Sequence, residues 1–209
     1  MSGFGSILAR ACISSEPSRS LSKTNFFYLA LAGEAGLLLL AWGLARWLEV
    51  SPGAYLRVIP AAVVSGLLAT VPLLFALGWM LRTAISPIRN LVELVTEQAG
   101  PLVSRCTVLE LGCLAAVAGI SEEVLFRGVV QPALSERIPV AGALLATSVL
   151  FGLVHAASRV YALFAALMGL YLGALFLLEE NLVPPILTHS FYDFVALHAV
   201  ASRYRSTRS

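Results

Sequence analysis

Residues 107–128 read TVLELGCLAAVAGISEEVLFRG. The first part of this stretch is almost wholly apolar, and it ends on two adjacent carboxylates, Glu122 and Glu123, followed by Arg127. An apolar run of about 20 residues is long enough to cross the hydrocarbon core of a bilayer as a helix. The stretch therefore predicts a membrane helix that carries charged side chains at a depth where charge is costly, which makes those side chains candidates for function.

The composition of the whole chain agrees with a membrane environment. The chain has 209 residues, of which 58% are hydrophobic and 12% charged, and its mean hydropathy is +0.85. A typical soluble domain has about 25% charged residues. A net charge of +2, without any basic run interleaved with aromatics, argues against a nucleic-acid partner. The three cysteines, Cys12, Cys106 and Cys113, form no CxxC pair and are interpreted as free thiols.

Six apolar stretches are each close to membrane-spanning length. They are 26–45, 58–81, 107–130, 139–157, 160–178 and 184–201. In hydrocarbon every backbone polar group must be paired within its own segment, so apolar stretches of this length favour helices. We predict an all-α fold, a polytopic transmembrane helical bundle of about six spans. The GLYLG sequence at 169–173 carries two glycines four residues apart, which allows close approach of another helix.

One further segment has the pattern of an amphipathic helix. Residues 86–98 read SPIRNLVELVTEQ, with Leu91, Leu94 and Val95 at helical spacing and acidic side chains on another face. Ser86 is the expected N-cap and Pro87 the first helical residue. The segment predicts an interfacial helix on the cytoplasmic side, as a connector or as a gate to lateral access.

The boundaries that follow are a polar N-terminal tail at 1–25, a single transmembrane domain at 26–201 with its catalytic core at about 105–200, and a basic C-terminal tail at 202–209. With six spans, most basic residues outside the apolar stretches fall on one side. They are Arg10, Arg19, Lys23, Arg82, Arg89, Arg105, Arg159, Arg203, Arg205 and Arg208. The positive-inside rule then predicts a multi-pass membrane protein with both termini in the cytoplasm.

The spacing of the charged residues separates the two adjacent carboxylates. Glu123 and Arg127 are four apart, with the acid first, which is the favoured orientation for an ion pair along a helix. Glu122 points about 100° away from Glu123 and has no partner in its own helix. A poorly solvated carboxylate without a partner is suited to act as a base. Glu34, on the first span, is interpreted as a packing or gating residue.

Two other apolar stretches present titratable side chains at helical spacing. Phe151 and His155 are four apart, as are His189 and Asp193, so each pair lies on one helix face. If the helix faces that carry these two pairs converge on Glu122, they assemble a site with a carboxylate, two imidazoles and a second carboxylate. On straight spans the two histidines lie about 10 Å and about 6 Å from the depth of Glu122, in opposite directions.

These four groups suit hydrolysis by water. A carboxylate takes a proton from water, one histidine orients that water, and the other stabilises the developing oxyanion. The same four residues, Glu122, His155, His189 and Asp193, are the ligand set if the site holds one Zn²⁺ that lowers the pKa of a bound water. The residues alone leave both versions open.

The three motifs resemble those of the CPBP family, the CAAX prenyl proteases and bacteriocin-processing enzymes, also called the Abi family. The family pattern EExxxR, FxxxH and HxxxN or HxxxD is matched by EEVLFR at 122–127, FGLVH at 151–155 and HSFYD at 189–193. The similarity covers roughly residues 105–200. It implies an α-helical intramembrane endopeptidase of the metallo or glutamate type, in which Glu123 and Arg127 form a supporting ion pair.

Carried over by position, the resemblance implies that Glu122 is the catalytic base and that His155 is its partner on the water. His189 and Asp193 would hold the oxyanion or position the substrate. An ionised aspartate cannot donate a hydrogen bond, so Asp193 would orient His189 unless it is protonated. The implied partner is a peptide or protein substrate that enters from the membrane or its cytoplasmic face. Prenylated CAAX peptides are a eukaryotic substrate and are not transferred to this chain.

Two other functions fit parts of the sequence. A non-catalytic immunity or scaffold protein of the same fold fits the small size and the lack of a visible substrate-binding domain. A proton-coupled carrier fits buried acids and histidines, although the chain has no inverted repeat. The protease predicts that Glu122→Ala and His155→Ala each abolish cleavage in a folded protein. The immunity or scaffold protein predicts full biological activity of Glu122→Gln, and flux in proteoliposomes would favour the carrier.

Overall fold

The computed structural model describes residues 22–208, and the fold is built from helices. Most of the predicted N-terminal tail, Cys12 and Ser209 lie outside the described residues. The seven helices of the described part are α1 (Lys23–Trp47), α2 (Pro60–Met80), α3 (Ser86–Val103), α4 (Val108–Ser135), α5 (Val140–Val154), α6 (Arg159–Glu179) and α7 (Val183–Ser206). A short 3-10 helix, Pro52–Tyr55, lies between α1 and α2. The all-α prediction is confirmed for this part of the chain.

Helix α4 carries the apolar stretch that ends on Glu122, Glu123 and Arg127. It starts with a capping box, in which Thr107 accepts from the backbone of Glu110 and Glu110 accepts from the backbone of Thr107. Lys23, at the start of α1, forms a 2.7 Å ion pair with the same glutamate. After the two adjacent carboxylates, residues Phe126–Val130 form a π-helical turn. Turns of this kind are frequent at functional sites, and nothing in the sequence pattern indicated it.

Small residues allow α6 to pack closely against α4 and α5. Arg127 Nη2 donates to the carbonyl oxygen of Gly169, and Gln131 Nε2 donates to that of Gly173. A Cβ on Gly169 would lie 3.2 Å from the Cβ of Phe151, so the glycine makes room for α5. The close approach predicted from GLYLG is confirmed, because these backbone carbonyls are reached directly by side chains of another helix.

The number of membrane spans differs from the prediction. Of the described helices, α1, α2 and α6 are each long and apolar enough to cross a membrane, and α3 with α4, bent by 117°, make a fourth candidate. Helix α5 has 15 residues, or about 22 Å, against a hydrocarbon core of about 30 Å. Six spans are therefore not confirmed, since 139–157 and 184–201 give no candidate.

Helix α7 explains part of this difference. It has 24 residues but a low mean hydropathy, and it packs against α2, α3, α4 and α6. Its buried positions include Thr188, His189 and Tyr192. A helix surrounded by other helices does not need an apolar face toward lipid, so polar side chains that serve the interior lower its hydropathy.

The predicted amphipathic segment forms α3. Leu91, Thr96, Gly100 and Val103 are its buried residues, and Tyr204 of α7 packs where a Cβ of Gly100 would be. The N-cap prediction was wrong by one residue, because Ile85 is the N-cap and Ser86 is already helical. The backbone N–H of Ile85 donates to the Thr83 hydroxyl, so the turn before the helix is held by threonine.

Contacts between distant parts of the chain define the two ends of the bundle. At one end Arg205 Nη1 donates to the carbonyl oxygen of Ser104, close to the Lys23–Glu110 pair. At the other end Arg57 and Asn181 exchange two hydrogen bonds between backbone and amide. Cys106 and Cys113 are free thiols, as predicted.

Candidate active site

The Glu123–Arg127 ion pair lies at the centre of the bundle. Arg127 Nη1 and Glu123 Oε1 are 2.7 Å apart, and both side chains are 0% exposed. The guanidinium also lies 4.7 Å from the centre of the Phe151 ring. A buried charge of this kind is tolerated when it is paired and hydrogen-bonded. The ion pair expected from the i, i+4 spacing is confirmed.

His189 joins this pair from α7. Its Nδ1 lies 2.8 Å from Glu123 Oε1, and its Nε2 lies 3.4 Å from Asp193 Oδ2 on the next turn. The shared helix face of His189 and Asp193 is therefore confirmed, and Asp193 is in position to orient the imidazole. Sequence spacing did not predict that Glu123 contacts a histidine as well as Arg127, since the contact depends on how α4 and α7 pack.

Gly119 lets α4 and α7 come together at this point. A Cβ on Gly119 would lie 2.9 Å from the backbone nitrogen of Ser190, the residue after His189. Because real Cβ atoms do not approach so closely, a side chain at 119 would push the helices apart. The glycine sets the distance across which Glu123 reaches the imidazole.

Glu122 contacts the other histidine. His155 Nε2 lies 3.5 Å from Glu122 Oε2, and the two side chains are 25% and 13% exposed. The Oε2 atom has no hydrogen-bond partner among the described residues. Glu122 is thus directed to a different helix from its neighbour, as the 100° offset predicted.

His155 is held by the end of its own helix. It is the C-cap residue of α5, its Nδ1 lies 2.8 Å from the carbonyl oxygen of Phe151, and the two rings stack at 4.5 Å. The last carbonyl oxygens of a helix have no N–H partner within the helix, and the imidazole forms a hydrogen bond with one of them. A carbonyl oxygen only accepts, so Nδ1 must carry a proton. The Nε2 atom therefore shares one remaining proton position with the Glu122 carboxylate.

The depth mismatch expected on straight spans is not found. Glu122 contacts His155, Glu123 contacts His189, and the two glutamates are adjacent, so side chains of α4, α5 and α7 meet in one region. The expectation failed because it assumed that each apolar stretch is a straight helix centred at the same depth. Helix α5 ends before His155, and α7 continues well beyond the predicted edge, to Ser206.

Residues 104–195 match the family model described as type II CAAX prenyl endopeptidase Rce1-like. This segment is an Rce1-like family domain. It runs from just before α4 into α7 and contains all three sequence motifs, whereas α1, α2 and α3 precede it. No curated protein and no solved structure matched the chain.

A cavity of about 230 Å³ opens beside the motif residues of the Rce1-like domain. His155, His189 and Asp193 lie in its wall, together with Tyr161 and Tyr192. The rest of the wall is apolar and is contributed largely by α2, α3, α6 and α7. Sequence reasoning singled out neither tyrosine, because Tyr161 lies in no motif and Tyr192, within HSFYD at 189–193, is not one of the residues that define that motif.

Helix α1 adds a carboxylate from outside the Rce1-like domain. The hydroxyl of Ser121 is hydrogen-bonded to Glu34 Oε2, and Ser121 directly precedes Glu122 in the chain. The packing role predicted for Glu34 agrees with this contact, which joins α1 to the turn of α4 that carries the adjacent carboxylates.

The residues present do not fit the four-ligand zinc site. Among the described residues, no group of three or more histidine, cysteine, aspartate or glutamate side chains is arranged to hold a metal ion. Both ring nitrogens of His189 face carboxylates, and Nδ1 of His155 is bonded to a backbone carbonyl. A zinc site needs three or four ligands arranged around one point, and the described side chains are not arranged in this way.

Proposed function

We propose that the Rce1-like domain is an intramembrane endopeptidase that hydrolyses a peptide bond with water activated by Glu122 and His155. The observation that carries the proposal is the 3.5 Å contact between His155 Nε2 and Glu122 Oε2, with Nδ1 already bonded to Phe151. His155 Nε2 and Glu122 Oε2 are then two acceptor atoms with one proton position between them, and such atoms form an acid–base pair. Membership of residues 104–195 in a family of endopeptidases supports the same reaction class.

In the proposed reaction the water donates one hydrogen to His155 Nε2 and the other to Glu122. As the water oxygen attacks the carbonyl carbon, Glu122 takes up the proton and the carbonyl electrons move onto oxygen. When the tetrahedral intermediate collapses, the carbon–nitrogen bond breaks and the leaving nitrogen takes the proton from Glu122. The products are a new carboxyl group and a new amine, and the glutamate returns to its starting state.

A network of four other side chains keeps Glu122 and His155 in place. Arg127, Glu123, His189 and Asp193 form a chain of ion pairs and hydrogen bonds across α4 and α7. We assign His189 and Asp193 to positioning, because both nitrogens of the imidazole are directed at carboxylates. The network holds the turn of α4 that carries Glu122 at a fixed distance from α7.

The cavity supports a substrate with an apolar segment. Its wall toward α2 and α3 consists of side chains such as Leu77, Leu91 and Val95, with no charge to hold a polar chain. We propose that a peptide or protein enters from the membrane or its cytoplasmic face, with α3 beside the entry. The family description names CAAX prenyl endopeptidases, so a prenylated CAAX peptide is the first probe to test.

The test uses the full chain in liposomes with an internally quenched prenylated CAAX peptide and a set of unmodified apolar peptides. Wild-type protein is expected to cleave at least one probe, with the products identified by mass spectrometry. His155→Ala is expected to lower kcat by about 10²–10⁴-fold, because the water loses its orienting partner.

His198→Ala is the matched control, since His198 lies on α7 and is exposed. It is expected to keep the wild-type rate. Equal cleavage by the His155→Ala and wild-type proteins would contradict the assigned role of His155, whereas absence of cleavage by the wild-type protein would favour a binding or scaffold function.

A further inference from the structure

The motif residues leave the oxyanion of the proposed reaction without a hydrogen-bond donor. His189 Nδ1 lies 2.8 Å from Glu123, and its Nε2 faces Asp193 at 3.4 Å. His155 Nδ1 is bonded to the carbonyl oxygen of Phe151, and its Nε2 faces Glu122. Asp193, when ionised, only accepts. A tetrahedral intermediate develops negative charge on oxygen and is stabilised by donors directed at that oxygen.

The wall of the cavity contains two further donors. Among the side chains that line it, N–H or O–H groups are found on His155, His189, Tyr161 and Tyr192, and the others are hydrocarbon, thioether or carboxylate. Neither tyrosine hydroxyl has a hydrogen-bond partner within residues 22–208, and neither oxygen is fully buried. By contrast, the hydroxyl of Tyr171, also on α6, donates to the carbonyl oxygen of Ala69.

Tyr161 is the better placed of the two. Its ring meets the imidazole of His155 edge-on, with 6.4 Å between the ring centres and an angle of 87°. Its backbone is fixed at the first turn of α6, where its N–H donates to the Ser158 hydroxyl. Tyr192 packs instead into the cluster of Met168 and Leu172. Of the two tyrosines, Tyr161 is therefore the one in ring contact with the histidine to which we assign the orientation of the water.

We propose that the Tyr161 hydroxyl donates a hydrogen bond to the oxyanion of the tetrahedral intermediate. This role rests on the proposed endopeptidase function. When water attacks, the carbonyl π electrons move onto oxygen, and the phenol holds that oxygen through an O–H···O⁻ bond without transferring its proton. When the carbon–nitrogen bond breaks, the electrons return to the carbonyl group and the hydrogen bond weakens. Tyr161 would then be a catalytic residue that none of the three motifs contains.

The test compares Tyr161→Phe with wild-type protein on a peptide probe that the wild-type protein cleaves. Phenylalanine keeps the ring against His155 and removes a hydroxyl that has no partner among the described residues, so the melting temperature in detergent should be unchanged. We expect kcat to fall by about 10²–10³-fold with KM unchanged, because the donor acts on the transition state and not on the bound peptide.

A second measurement separates this role from a packing role. A peptide phosphonate, whose tetrahedral oxygens imitate the oxyanion, should bind Tyr161→Phe more weakly by a similar factor, whereas an uncleaved peptide of the same sequence binds equally to both proteins. Tyr171→Phe, which removes a hydroxyl bonded outside the cavity, should keep the wild-type kcat and the wild-type phosphonate affinity.

The outcomes distinguish this inference from the function on which it rests. Absence of cleavage by the wild-type protein with every probe would overturn the proposed function. Cleavage by wild-type and Tyr161→Phe proteins at equal kcat would overturn the role of Tyr161 and leave the proposed function intact. Loss of kcat in Tyr192→Phe but not in Tyr161→Phe would also overturn it.

Discussion

At the scale of single residues, two neighbouring glutamates have different surroundings. Glu123 is fully buried and contacts both Arg127 and His189, whereas Glu122 is partly exposed and reaches His155 on another helix. The different directions follow from helix geometry, which turns by about 100° per residue. One carboxylate therefore has structural partners, and the other is the one that we propose acts as a base.

Loss of the buried carboxylate should destabilise the protein. Glu123→Ala leaves the Arg127 guanidinium without its counter-ion at 0% exposure, and breaking a buried pair costs about 3–5 kcal/mol. Glu93→Ala is the control, because Glu93 pairs with Arg89 at 3.7 Å on the surface, where such a pair contributes about 0–1 kcal/mol. Unfolding by denaturant in detergent measures both. Equal effects of the two substitutions would contradict the structural role of Glu123.

Residue spacing predicted the pairs within a helix and not the contacts between helices. Glu123–Arg127, Phe151–His155 and His189–Asp193 are each four apart, so one helical turn determines their proximity. The contacts of Glu123 with His189 and of Glu122 with His155 depend on helix packing, which a periodic pattern does not specify.

At the scale of secondary-structure elements, glycines and irregular helix ends position the site. Gly119, Gly152 and Gly169 lie where helices approach each other too closely for an ordinary side chain. The π-helical turn at Phe126–Val130 and the end of α5 before His155 occur beside the motif residues. The sequence predicted where most helices lie, but these irregularities arise from tertiary packing and have no local signal.

The packing of α5 against α6 gives a prediction at this scale. A Cβ on Gly152 would lie 2.5 Å from the carbonyl oxygen of Ala162, so Gly152→Ala must separate the two helices or shift the backbone. Overpacking of this kind costs about 1–3 kcal/mol. Gly36→Ala, where nothing lies within 4 Å, should be neutral or should stabilise α1 by up to about 1 kcal/mol. Thermal unfolding in detergent compares them, and a destabilisation shared by both variants would refute the packing account.

At the scale of the whole molecule, basic side chains collect at one end of the bundle. Lys23, Arg105 and Arg205 lie at the end where the contacts from α1, α4 and α7 meet. The opposite end contains the Arg57–Asn181 contact. Six spans are not shown, and interior helices such as α7 need not face lipid. The positive-inside rule still makes the basic end cytoplasmic, as a proposal.

Cysteine labelling tests this orientation. In a chain whose native cysteines are replaced by alanine, Gly53→Cys and Arg208→Cys each introduce one exposed thiol, at opposite ends of the bundle. A membrane-impermeant maleimide is expected to label position 53 in intact cells and position 208 after the membrane is permeabilised. The reverse pattern would show that the basic end faces outward.

The most direct test of the account is the single-turnover rate of peptide cleavage by Glu122→Gln in liposomes. Glutamine keeps the size of the side chain and removes the proton acceptor beside His155. We expect a rate that is lower by about 10²–10⁴-fold, with peptide binding and melting temperature unchanged. Cleavage by a folded Glu122→Gln protein at the wild-type rate would contradict the claim that this carboxylate activates water.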